Sequence, residues 1–206
     1  MDRERFIGAI ASRLGRRPGV EAPPVPRREA GAASEAPDRE ALVRRFCERL
    51  ADVSGTAVMV ADRAEAQAAV ERLAAERGYQ GLDCPAALRW PGIEALCSGD
   101  PRAADFGLSE ARRAIAETGT VVLWHDAAVP RAASLVPPAA GVFVPASAIV
   151  SRLGDVTARL AAVERPDLPA CITFMSGPSR SMDIGYVSCM GVHGPGEVVV
   201  WVIADE

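Results

Sequence analysis

The sequence predicts a three-layer α/β/α Rossmann-like sandwich, on three observations. Apolar runs of strand length alternate with helical stripes, the order expected of a parallel sheet with crossover helices. Hydrophobic residues make up 49% of the 206 residues but aromatics only 5%. The core is therefore built from Val, Leu, Ile and Ala, as is usual for a sheet buried on both faces. The length fits one such domain with a tail, and no internal repeat suggests another architecture.

The elements follow in order. Phe6, Ile7, Ile10 and Leu14 share one helical face, with Asp2 as the expected cap and Gly15 as the stop. The tract from Gly15 to Pro37 is rich in Pro, Ala, Gly and charge and is expected to be a flexible linker. This divides the chain into an N-terminal helix (1–14), a linker (15–37) and an α/β domain (38–206). In that domain Leu42, Val43, Phe46, Cys47 and Leu50 form a helical stripe. Thr56 to Val60 reads as a buried strand. Asp62 then caps a helix carrying Ala66, Ala69, Val70 and Leu73, which stops at Gly78. From Gly81 to Asp105 the prolines at 85, 91 and 101 break any long element. Four further strands are expected at Thr120–Trp124, Val142–Val144, Cys171–Met175 and Val198–Ile203. Val156, Leu160 and Val163 mark a helix starting near Asp155, and another is expected near Asp183.

Composition narrows the chemistry. The net charge is −4, which argues against nucleic acid as a partner, since neutralising phosphates needs a basic surface. All 23 basic residues are Arg. Without lysine this chain has no Schiff base, no pyridoxal-phosphate attachment and no P-loop lysine. The five cysteines lack the close spacing of zinc or iron–sulfur ligands, and two histidines are too few for a multi-histidine metal site. No metal and no cluster are expected. An odd cysteine count and the absence of an apolar leader suggest reduced thiols in the cytoplasm. No stretch reaches the length of a membrane span.

Three segments gather small and polar residues where strands begin or end, as ligand-binding loops of α/β folds do. In AIAETGT, Glu117, Thr118, Gly119 and Thr120 offer a carboxylate, two hydroxyls and backbone N–H groups. The competing reading is an ordinary turn with a solvated Glu117. In MSGPSR, Ser176, Gly177 and Ser179 are suited to an anion, with Arg180 as its planar partner and Asp183 beyond. The competing reading is a capped loop with an Arg–Asp pair. In GVHGP, His193 between glycines offers an acid–base group, or a structural imidazole. Ser176 lies outside any nucleophile-elbow pattern, so no hydrolase is proposed.

The stretches GLSEARRAIAETGTVVL, RAASLVPPAAGVFVPASAIVSRL and ITFMSGPSRSMDIGYVSCMGVHGPGEVVVWVI, in that order across residues 103 to 203, resemble the LutC/YkgG branch of the LUD-domain family. The resemblance implies a fold similar to the sugar-isomerase and CoA-transferase group. It also implies a place in a three-component bacterial system oxidising L-lactate to pyruvate, as the cluster-free component beside iron–sulfur subunits. It adds Arg131 and Ser134 to the positions expected to line one crevice with the three loops. Two departures stand out: Ala140 and Gly185, where many relatives carry His and Glu.

Three functions are therefore in play. The first is an accessory subunit of lactate oxidation that binds a small anion or partner subunits. The second is a stand-alone CoA-transferase-like or isomerase-like enzyme, with Glu117 as nucleophile or base and His193 moving a proton, which requires both in one pocket. The third is a binding module without chemistry.

Overall fold

The computed structural model describes residues 2–15, 38–164, 167–181 and 189–204. It divides into two compact units, Met1–Ser34 and Glu35–Glu206. The first holds α1 (Arg3–Arg13). Asp2 occupies its N-cap position but its side chain makes no capping bond, contrary to expectation. Gly15, at φ 65°, follows the last turn. The remainder of the expected linker, 16–37, lies outside the described residues.

The second unit opens with α2 (Arg39–Asp52), capped by Asp38, whose carboxylate accepts from the Glu40 N–H at 3.3 Å. Arg39 donates to the carbonyls of Ala146 and Ile149 at 2.9 and 3.1 Å, tying the helix start to the body. Then come β1 (Thr56–Val60) and α3 (Arg63–Arg77). Asp62 accepts from the Glu65 N–H at 2.8 Å, and the Glu65 carboxylate from the Ala61 N–H at 2.6 Å. These bonds satisfy N–H groups that the first helical turn leaves without partners. Gly78, left-handed at φ 67°, ends α3, as its sequence position predicted.

Among the described residues ten strands and one helix follow: β2 (Leu82–Asp83), β3 (Phe106–Glu110), β4 (Arg113–Ile115), β5 (Thr120–His125), β6 (Ala139–Pro145), β7 (Ile149–Val150), α4 (Leu153–Ala161), β8 (Cys171–Met175), β9 (Arg180–Ser181), β10 (Cys189–Met190) and β11 (Glu197–Ile203). The central sheet is wholly parallel, in the order β1-β11-β6-β3-β2. The α/β class with a parallel central sheet is thus as the sequence predicted.

The layers hold a difference. One face of the central sheet packs on α3 through Ala66, Ala69 and Val70, around Trp201, Phe106 and Phe143. The other packs on α2 and on a second sheet, β7-β4-β5-β8, in which β5 runs antiparallel to both β4 and β8. Helix α4 covers the far side of that sheet, with Val156 against Ile115, Val122 and Val150. The runs at 120–124 and 171–175 are strands as expected, but they belong to this second sheet. An apolar run does not specify which sheet it joins. Strands β3 and β4 were not anticipated: FGLSE is polar at its end, and three residues carry no readable alternation. The expected helix near Asp155 starts at Leu153 and stops at Ala161, leaving Val163 beyond it. The helix expected near Asp183 lies outside the described residues.

Cys84 is buried, its Sγ 3.9 Å from that of Cys97. Burial, and then Cys97, push its thiol up to about 12, so it packs as a small apolar side chain rather than a nucleophile. No described helix is long and apolar enough to cross a membrane.

Candidate functional site

The antiparallel pairing of β5 and β8 brings two of the three predicted loops together. Val121 lies opposite Met175, so the turn before β5 meets the loop after β8. The Oγ1 atoms of Thr118 and Thr120 are 2.7 Å apart, and Thr120 Oγ1 is 2.7 Å from Ser176 Oγ. Each hydroxyl has one proton to donate. A chain of three hydroxyls linked by two bonds keeps one O–H unspent, at Thr118 or Ser176 when the bonds run in one direction and at Thr120 when both ends donate to it. Both end residues are exposed while Thr120 is buried. The arrangement can therefore donate to an acceptor at either end.

The glycines of both loops rest on the end of α2. Gly119 has φ 63°, and a Cβ there would lie 2.3 Å from the Leu50 nitrogen. Gly177 has φ 73°, and a Cβ would lie 2.4 Å from the Val53 carbonyl oxygen. Close approach to backbone explains glycine at both positions. Arg180 reaches the same helix end, donating from Nη2 to Ser54 Oγ at 2.6 Å. Ser54 is itself left-handed, at φ 67°. Sequence reasoning missed Ser54, whose only signal was its place before Gly55 at the end of a helix.

The third loop folds back on the second. Ser179 donates its N–H to the Pro195 carbonyl at 2.8 Å, and its own carbonyl accepts from the Gly191 N–H at 2.9 Å. Ser179 Oγ accepts from the His193 N–H at 3.2 Å. His193, Arg180, Ser179, Gly177 and Ser176 thereby line one hollow of about 320 Å³. Glu117, Thr118 and Thr120 line another, of about 480 Å³, walled by Leu153 and Phe174. The two hollows share Phe174 and Ser176. Glu117 and His193 thus line two adjoining hollows. Phe174, at 42% exposure between them, was read from sequence only as a strand residue.

Other expected positions fall elsewhere. Ser134 lines the His193 hollow, but Arg131, exposed at the start of a 3-10 turn, lines neither. Ala140 is buried in β6 opposite Gly107 and Val198. Asp183 and Gly185 lie outside the described residues. The Gly191–Gly196 loop leads into the amino end of β11, so this site is not at the carboxyl edge of the central sheet. That edge carries a separate crevice, which sequence reasoning also missed; its signal was the tandem Arg112–Arg113 after β3.

His125 is buried at the end of β5, with Nε2 3.0 Å from Thr173 Oγ1. Its Nδ1 makes no well-formed hydrogen bond, although the Val129 backbone lies near enough to favour the protonated ring. Burial dominates and lowers its pKa, with Arg131 acting in the same direction. The unfolded chain therefore takes up a proton before the folded one does. Stability from this group is full above the ordinary histidine pKa of about 6.5 and is lost as pH falls toward the lower folded value. Urea unfolding of wild type and His125→Gln between pH 7.5 and 5.5 should show a steeper loss in wild type. Parallel curves would refute the assignment.

The three loops fall within a stretch that resembles known proteins. The LUD domain family model matches residues 101–203, the span that contains all three loops. Lactate utilization protein C 1 of Bacillus mycoides is 39% identical over 107 residues, covering 51% of this chain and 46% of that protein. This chain thus spans slightly under half the length of that relative in the match. The uncharacterized protein YkgG of Escherichia coli is 33% identical over 177 residues, 84% of this chain and 71% of that one. The crystal structure of a DUF162 family protein from Deinococcus radiodurans superposes with a TM-score of 0.62 at 24% identity, covering 82% of this chain and 99% of that one; it supports the fold alone. On the family match and the extent of the YkgG alignment, the chain belongs to the LUD-domain family.

Proposed function

We propose that this chain is the cluster-free component of a bacterial system that oxidises L-lactate to pyruvate, binding a small anion or its partner subunits through the paired ETGT and SGPSR loops. The observation that carries the reading is the Thr118–Thr120–Ser176 hydroxyl chain, whose Ser176 lines one hollow with Arg180, within the span matched by the LUD domain model, in a chain similar to proteins named lactate utilization protein C. A spare O–H and a guanidinium together suit a carboxylate. The separation of Glu117 from His193 into two hollows favours binding over a CoA-transferase-like or isomerase-like reaction on one substrate. The reading includes a cytoplasmic location and iron–sulfur subunits as partners. It treats residues 1–14 as a docking arm, joined through 15–37 to the LUD body at 38–206.

The test is lactate-dependent dye reduction in extract of cells lacking only this chain, with the purified protein added back. Activity should vanish without it and return on addition. Arg180→Ala should restore roughly a tenth or less of that activity, the usual cost of one charge-assisted contact. Glu117→Gln should restore nearly all of it. Lactate oxidation indifferent to the chain would overturn the reading, and loss with Glu117→Gln alone would favour the enzymatic alternative.

A further inference from the structure

A crevice of about 600 Å³ opens at the carboxyl edge of the central sheet. Glu110 and Pro145, the last residues of β3 and β6, form its floor, and Arg112, Arg113, Trp124 and Arg159 rise around it. None of the three predicted loops contributes to it. Strand ends of a parallel sheet are where α/β proteins hold ligands.

Its charge is one-sided. The acid on the floor, Glu110, is already engaged by Arg63 in a two-pronged pair at 3.0 and 3.1 Å. Among the described residues no carboxylate forms an ion pair with Arg112, Arg113 or Arg159. Arg113 instead donates to the Arg112 carbonyl at 2.8 Å, and the Arg112 guanidinium lies 5.4 Å over the Trp124 ring. Partial burial, then Arg159 and Arg112, lower the pKa of Arg113. The three cations repel one another, and a multiply charged anion would relieve that strain. A monocarboxylate neutralises only one of them. Part of the lining is apolar, made by Pro85, Leu88 and Val129, and suits an organic body rather than a bare ion. The volume lies in the range of sites for small organic ligands.

We propose that this crevice is a second binding site, distinct from the hydroxyl-lined hollows, for a phosphorylated organic anion of about nucleotide size. Arg113 and Arg159 hold the phosphoryl oxygens, Arg112 stays stacked on Trp124, and the Pro85–Leu88 wall takes the organic body. The assignment does not depend on a role in lactate oxidation.

Calorimetric titration of the full chain with ADP, pyrophosphate, adenosine and lactate, at one fixed ionic strength, tests it. ADP should bind more tightly than each of the others, and Trp124 fluorescence should change on binding. Arg113→Gln with Arg159→Gln should weaken ADP by on the order of 100-fold, about tenfold for each lost charge-assisted contact. Arg72→Gln, an exposed charge on α3, should leave it unchanged, and circular dichroism should show the double variant folded. Three results would each overturn the proposal: no ADP binding at millimolar concentration, equal loss in the Arg72 variant, or pyrophosphate binding as tightly as ADP.

Discussion

Trp201→Ala is expected to destabilise the fold by about 3–5 kcal/mol, the usual cost of emptying a large aromatic site in a core. Trp201 is buried in β11, between Val58 of β1 and Phe143 of β6 in the sheet register. Its ring meets Phe143 edge-on at 5.8 Å and Phe106 at 6.3 Å. These rings fill the space under α3 in a core otherwise made largely of Val, Leu and Ala, so little can collapse into the hole. Domains are generally stable by only about 5–15 kcal/mol, so a large share would be lost. Urea unfolding followed by circular dichroism should show the midpoint falling by over about 1 M, with an unchanged slope. A loss below about 1 kcal/mol would mean that the sheet's cohesion lies elsewhere.

Gly119→Ala is expected to cost about 2–5 kcal/mol, from a left-handed backbone forced on alanine together with overpacking. The new Cβ would lie within 2.3–2.6 Å of backbone atoms of Arg49 and Leu50. Backbone in the last turn of α2 cannot rotate away as a side chain can, so the turn or the helix must move. Either movement also disturbs the Thr118–Thr120–Ser176 chain. Gly154→Ala is the matched comparison. It sits in α4 with nothing within 4 Å of the added Cβ, and should stabilise by about 0.5–1 kcal/mol. Equal effects at the two positions would remove the packing argument for glycine in the ETGT turn.

Much of the fold was legible because its signals are local. Asp62 and Gly78 bound α3 as their chemistry requires: an acid accepting free N–H groups at one end, and a residue without Cβ turning left-handed at the other. The stripe Leu42, Phe46 and Leu50 is the buried face of α2. The Val-rich run at 198–203 is an interior strand of the parallel sheet, flanked by β1 and β6. Strands β4 and β7 were hidden because they are three and two residues long and hold their place by pairing with each other and, for β4, with β5. The candidate site was legible as three loops by residue type. Arg131 was not separable from them, because a surface arginine looks the same in sequence wherever it points.

The α/β class, the family and the three loops could be read from local sequence, since helix caps, apolar periodicity and short motifs are properties of neighbouring residues. Tertiary structure alone decided that β5 and β8 leave the central sheet to pair antiparallel, joining Thr120 to Ser176. It also set Glu117 and His193 in adjoining hollows and gathered Arg112, Arg113 and Arg159 at the opposite edge. Those outcomes depend on which strand faces which, and on how closely α2 approaches Gly119 and Gly177. Strand partners and backbone contacts between distant segments are fixed by packing the whole core, and no local window of sequence contains them.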